Sequence, residues 1–335
     1  MSHQDIDTKR RILCIDGGGI LGTFPAAFLA ALEEHIEPPI GRYFDLIAGT
    51  STGGIIAAGL ALGLPAKEIL KLYEQDGPAI FADNGLPALR WISRCFRSAQ
   101  RLAVAKYNSD PLHKALTKAL GEKKIGDAST RLMLPAWNPK AQCIHVYKTS
   151  HHPRLAFDYK VRVVDAVMAT TSAPTYFRQH TSDDNVGLID GGVWANNPIA
   201  VATVEAIALL NWSPDTLNIL SLGCLNELYT IPQNAGLVTL NYKAVKLFMD
   251  GQQKGAMGMV KLLTGHGHER EAIYRVDHTV KIGRFSLDDA SKIDQLKGLG
   301  YSRAREYLPK MKEVFLTSPT QEFVPYHRLN SEVNS

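Results

Sequence analysis

Apolar residues arrive along this chain in short bursts that end in glycine. The run Arg11-Ile12-Leu13-Cys14-Ile15 stops at Asp16 and three glycines, the pattern of a buried strand entering a tight turn. Residues 24–35, rich in Ala and Leu, predict a helix. The same order repeats: a strand over 43–48, a turn at Gly49-Thr50-Ser51-Thr52-Gly53-Gly54, and a helix of small residues over 55–62. Two strand, turn, helix units in succession predict a parallel sheet covered by helices. Further strands are expected at 142–147, 186–189 and 217–222, and a helix at 197–210 with Pro198 placed early, where a missing N–H costs nothing.

Two stretches depart from this pattern. Residues 84–109 contain no acidic residue, while Arg90, Arg94, Arg97, Arg101 and Lys106 recur at near-helical spacing beside apolar side chains, predicting a basic amphipathic insertion. Residues 243–261 carry Val245, Leu247, Phe248, Met249, Met257 and Met259 between Gly251, Gly255 and Gly258, the composition of a movable cover. The expected organisation is a tail over 1–10, a catalytic core over 11–223 with the insertion at 84–109, a helical cover region over 224–318 packed on that core, and a loosely ordered tail over 319–335.

Composition narrows the partners. The 335 residues carry 37 Lys and Arg against 33 Asp and Glu, a net charge of +4, too mild for a nucleic-acid binder. With 45% hydrophobic residues the chain can bury a sizeable core. The four cysteines stand far apart, which argues against a metal site or a disulfide framework. The N-terminus lacks the apolar core of a secretory signal, and no apolar run reaches the roughly 18 residues of a membrane span. The expectation is a cytoplasmic protein that meets a membrane only from its surface.

Three glycine-flanked sites carry the candidate chemistry. Gly49-Thr50-Ser51-Thr52-Gly53 is a GxSxG string between a strand and a helix, where Gly49 and Gly53 permit the sharp elbow that lifts a serine nucleophile above a sheet. Asp16-Gly17-Gly18-Gly19-Ile20-Leu21-Gly22 can converge backbone N–H groups on an anion, either the oxyanion of acyl transfer or, because it satisfies GxGxxG, a dinucleotide pyrophosphate. Asp190-Gly191-Gly192 ends a strand and supplies a carboxylate, so that nucleophile, base and oxyanion donors share one sheet edge. Of eleven histidines none stands in such a turn, leaving a Ser51–Asp190 dyad with Gly17, Gly18 and Gly19 as oxyanion donors. An apolar surround would raise the pKa of Asp190 so that it can take the serine proton directly.

At these motifs the sequence resembles the patatin-like phospholipases. Asp16 to Gly22 resembles their DGGGxRG loop, Gly49 to Gly54 their GTSTGG elbow and Asp190-Gly191-Gly192 their DGG. Ala169 to Phe177 is similar to ATSAAPTYF, and Ala195-Asn196-Asn197-Pro198 to the segment after the aspartate. The resemblance covers about 11–223 and implies an α/β patatin-like three-layer fold, a mostly parallel sheet between helices, and hydrolysis of phospholipid acyl esters without a cofactor. One departure is Leu21, where the family usually has arginine. Past Gly223, Ala272 to Asp277 and Leu287 to Ser291 resemble bacterial members activated by a cyclic di- or oligonucleotide in anti-phage signalling. That resemblance implies a nucleotide activator, a membrane substrate, and an activator-induced homo-oligomer. Arg94, Arg275 and Arg284 are the candidates for gripping a nucleotide or lipid phosphate. The other readings are a constitutive lipid esterase, a dinucleotide-binding protein and an idle binding protein on the same fold.

Overall fold

The computed structural model describes residues 8–82, 105–228, 230, 231, 233, 242–268, 270–281 and 283–329. Its sheet contains eight strands: β1 Arg10–Ile15, β2 Leu46–Gly49, β3 Arg131–Asn138, β4 Cys143–Lys148, β5 His180–Thr181, β6 Gly187–Asp190, β7 Leu217–Leu228 and β8 Ile273–Lys281. They lie in the order β5-β6-β3-β2-β1-β7-β8, with β4 also paired to β3. β3, β2, β1, β7 and β8 run parallel, whereas β4 and β6 lie antiparallel to β3.

Strand periodicity divides the core into two layers. Leu13, Ile15, Ile47 and Leu220 face one side, where α1 Thr23–Glu33, α2 Thr52–Ala61, α3 Ala66–Gln75 and the short α4 Gly77–Ile80 pack with α5 Asp110–Leu120, α6 Val163–Thr171 and, near the C-terminus, Ile293–Val314. Ile12, Cys14, Leu46 and Ile219 face the other, against two further helices. Between β6 and β7 lie the four-residue α7 Gly192–Ala195 and then α8 Ile199–Ala208; α9 is Tyr242–Thr264, and Ile293–Val314 is α10. Ile199 and Ala202 of α8 and Ala256 and Val260 of α9 fill that second layer.

Two features differ from the sequence expectation. The segment 224–318 supplies two long helices and also β8, which pairs with β7 and so belongs to the same sheet. Hydropathy does not mark β8 because Arg275 and Asp277 interrupt its apolar residues. Over 243–261, α9 runs through all three glycines and is held by its buried side. Each glycine there costs only about 1 kcal/mol of helix propensity. The tail is tied down at least to His327: Thr320 N–H donates to Arg42 O (2.8 Å) and Tyr326 N–H to Ser150 O (2.8 Å). The predicted basic helix, including Arg94, lies outside the described residues except for 105–109.

Candidate active site

Ser51 follows β2 and precedes α2 with φ 54° and ψ −130°, a left-handed conformation that a side chain bears only under constraint. The constraint is close packing. A Cβ on Gly53 would lie 2.5 Å from the carbonyl oxygens of Ile15 and Asp16, and one on Gly49 would lie 2.2 Å from Gly53 O. The elbow can therefore turn only because both residues lack side chains. Ser51 N–H donates to Thr170 Oγ1 (3.1 Å), which donates to Pro135 O (2.5 Å). Thr50 Oγ1 donates to Ala195 O (2.7 Å).

Asp190 reaches Ser51 by a route that differs from the expected one. A carboxyl-end residue of a parallel strand would lie on the site edge by topology, but β6 is antiparallel to β3. Ala48 is level with Met133, and β3 continues past its pairing with β2. Three residues further on, Ala136 is level with the elbow, and its partner across the ladder is Asp190. Asp190 N–H donates to Ser172 O (3.0 Å). The segment 169–177 thus holds the backbone of both residues, through Thr170 and Ser172. Thr170 acts only through this fold and carries no sequence signal beyond the family-like string.

The Asp190 carboxyl is buried. Burial raises its pKa to about 7, while hydrogen bonds from the Ser51 side chain and from Gly192 N–H (2.6 Å) pull the other way. A carboxylate at that value is matched to proton transfer near neutrality. Among the described residues no histidine lines the cavity around Ser51. His151 is instead buried between Thr149 and Glu205, both at 2.9 Å.

The glycine loop needs one correction. Gly17 N–H is engaged with Asn196 O (3.0 Å), so it does not point into the site as a donor. Gly18 N–H makes a long bond to Thr52 Oγ1 (3.3 Å), and Gly19, at φ 56°, has no acceptor for its N–H among the described residues. The N–H groups of Gly18 and Gly19 thus have no backbone acceptor among the described residues, while Gly17 fixes the loop. Leu21 is buried in the apolar core.

A second correction concerns Arg275. Its guanidinium does not line the cavity and is not available to a phosphate. Nη1 and Nη2 grip both oxygens of Asp16 (3.0 and 2.6 Å), Nη1 also donates to Ser221 Oγ (2.8 Å), and Nε donates to Asp277 (3.2 Å). Burial disfavours its charge, but the carboxylates of Asp16 and Asp277 outweigh that and hold its pKa above the ordinary arginine value. Asn197 Nδ2 reaches the same Ser221 Oγ (3.4 Å). Arg284 is exposed, with its guanidinium over the ring of Phe285.

These groups open on a cavity of about 470 Å³. Ile55, Leu72, Ile80, Phe81 and Phe177 make its walls apolar, and Phe248, Met249 and Gln252 of α9 stand at its mouth. Gln252 Oε1 accepts from Asn196 N–H (2.9 Å), tying α9 to the residue that holds Gly17. Among the described residues there is no cluster of three or more His, Cys, Asp or Glu placed for a metal ion, and no helix is long and apolar enough to cross a membrane.

A serine on a strand-to-helix elbow, beside a buried carboxylate beneath an apolar cavity, is the equipment of a serine ester hydrolase. The model of the patatin-like phospholipase family matches residues 13–203, and the chain belongs to that family. A cGAMP-activated phospholipase of Pseudomonas aeruginosa is 35% identical over 227 residues, which is 68% of this chain and 66% of that protein. One of Vibrio cholerae is 34% identical over 244 residues, 68% of each. The chain thus spans about two thirds of these relatives' length. Among solved structures, VipD from Legionella pneumophila aligns with 90% of this chain and 67% of its own at 12% identity and a TM-score of 0.48.

Proposed function

We propose that the chain is a lipid acyl hydrolase that cleaves fatty acyl esters of membrane phospholipids through Ser51 and Asp190. One observation carries the reading: Ser51, at positive φ, shares the floor of an apolar cavity with a buried carboxylate whose pKa burial raises to about 7. The acyl chain lies along the apolar wall. Ser51 Oγ attacks the ester carbonyl carbon and its proton passes to Asp190. Gly18 and Gly19 N–H receive the charge on the oxygen, a contribution worth on the order of 10²-fold or more in turnover per donor. Asp190 then protonates the departing alcohol. In the second half it takes a proton from water, whose oxygen attacks the acyl-serine, and returns that proton to Ser51 Oγ as the bond from Oγ to the acyl carbon breaks and the fatty acid leaves. The dinucleotide reading of the glycine string falls away with family membership.

The finer part of the proposal is control. The relatives named as cGAMP-activated phospholipases support activation of this chain by a cyclic di- or oligonucleotide, in an anti-phage role at the inner face of the membrane. A ligand of this kind works by binding the open form better than the closed one, and α9 across the cavity mouth is the part such a ligand would shift. A constitutive esterase is the second reading, favoured by Ser51 and Asp190 already standing together at the cavity. Fatty-acid release from phospholipid vesicles, with and without a panel of cyclic di- and trinucleotides and with Ser51→Ala as blank, separates them. Release only with one nucleotide supports hydrolase and switch together. Equal release without any nucleotide discards the switch, and no release under any condition discards the hydrolase.

A further inference from the structure

Helix α9 has one side committed and one side bare. Ala256, Val260 and Thr264 are buried. On the opposite side, residues spaced by three, four and seven fall on a single arc: Phe248, Gly251, Gly255, Gly258, Met259 and Leu262. Phe248 is 72% exposed, Met259 57% and Leu262 81%. A Cβ on any of the three glycines would meet nothing within 4 Å. Three large apolar side chains on one flat helix face are what water alone does not favour, and such a patch marks a surface with a partner.

The observations select a lipid surface. Phe248 belongs both to the bare face and to the mouth of the cavity above Ser51, so the face is continuous with the entrance a lipid must use. Val193, also exposed, lines the same mouth. Lys254 and Lys261 flank the arc on one side, and no acidic residue occurs from Gly251 through His268. Apolar residues between lysines, with glycines that let head groups approach, form an interfacial helix for an anionic bilayer.

We propose that the outer face of α9 docks the protein on an anionic phospholipid surface with the cavity mouth toward the bilayer, so that an acyl ester enters without crossing water. This rests on the acyl hydrolase reading, and its test is separable from it. Vesicles of phosphatidylcholine with about 30% phosphatidylglycerol are sedimented with the full chain carrying Ser51→Ala, in the absence and presence of cyclic GMP–AMP. The expectation is co-sedimentation that weakens about tenfold or more when Met259→Ser and Leu262→Ser are added. Lys254→Glu with Lys261→Glu should remove the preference over pure phosphatidylcholine. Neither Met259 nor Leu262 lines the cavity, so in the Ser51 chain the serine pair should leave hydrolysis of a soluble short-chain ester unchanged. Vesicle binding unaffected by the serine pair overturns the proposal, as does absence of binding by the parent chain. So does light scattering in which the pair dissociates a dimer, since the face would then join two copies. Failure to hydrolyse the short-chain ester at all would count against the hydrolase reading and leave the sedimentation result standing.

Discussion

The two loops that meet at the site differ in how far their shape is set locally. The elbow at Ser51 turns at Gly49, where a Cβ would meet Gly53 O within the same turn, and is then clamped from elsewhere, by the carbonyls of Ile15 and Asp16 against Gly53 and by Thr170 at Ser51 N–H. The glycine loop is held from a distance: Asp16 by Arg275, Gly17 by Asn196, and Ile20 N–H by Leu287 O (2.8 Å). Leu287 O would lie 2.1 Å from a Cβ on Gly19, so the late segment sits directly on the loop. The turn at Ser51 is thus set partly by local sequence, and the glycine loop by residues far along the chain. Control over such a site is exerted most readily on the second loop, which can shift without dismantling the first.

Removing the local part should have the largest effect. Ser51→Ala is expected to lower turnover at least about a thousandfold, and Asp190→Asn by about 10² to 10⁴, with the double variant no worse than Ser51→Ala. Turnover of Ser51→Ala near that of the parent chain would falsify the nucleophile assignment. Breaking the remote support should cost less. Arg275→Ala leaves Asp16 buried and unpaired, so turnover is expected to fall about tenfold to a hundredfold with KM for a short-chain ester little changed. Arg275→Lys should recover part of it, since charge is kept and the fork is lost. An unchanged turnover in Arg275→Ala would erase the distinction between the loops.

The third expectation sharpens the role of Asp190. Because the base must be ionised, kcat/KM should rise with pH to a plateau, with a midpoint near 7. Its folded pKa lies above the unfolded one, so its stabilising contribution is complete below about pH 4 and is lost as pH rises to about 7. Asp190→Asn should therefore be the more stable protein at pH 8, by up to about 4 kcal/mol, with a gap that closes toward pH 4. Denaturation at both pH values reads this, and a gap independent of pH would contradict a buried, raised carboxyl. The smallest effect concerns the cover. Gln252→Leu removes one hydrogen bond to Asn196, worth about 1 kcal/mol, and should raise activity in the absence of any nucleotide about fivefold. A fall in activity instead would mean that Gln252 supports the site rather than restrains it.

What the sequence made legible follows the same division. The turns that carry Ser51 and Asp190, with Gly49 and Gly53, were readable because a sharp turn restricts residue type within a few positions. Gly17 could not be told from Gly18 and Gly19, since the acceptor that engages its N–H is Asn196, 179 residues on. Arg275 read as a surface cation because its partner Asp16 is 259 residues away. β8 was hidden for the same reason, as its charges are neutralised inside the fold. The 23 residues of α9 carry three glycines whose cost is offset by Ala256 and Val260 on the buried side.

The overhang of β3 beyond β2 works as a ruler. The spacing of nucleophile and base is set by a count of backbone residues, about 3.3 Å each, and not by the side chains around them. Deleting one residue between Met133 and Ala136 would slide Asp190 by that step and turn its carboxylate to the other face. Substitutions in the cavity wall leave the ruler untouched. Such a scaffold lets the wall drift toward new acyl chains or head groups while the reacting pair keeps its separation, and it makes a single lost codon in β3 more damaging than many changes of side chain.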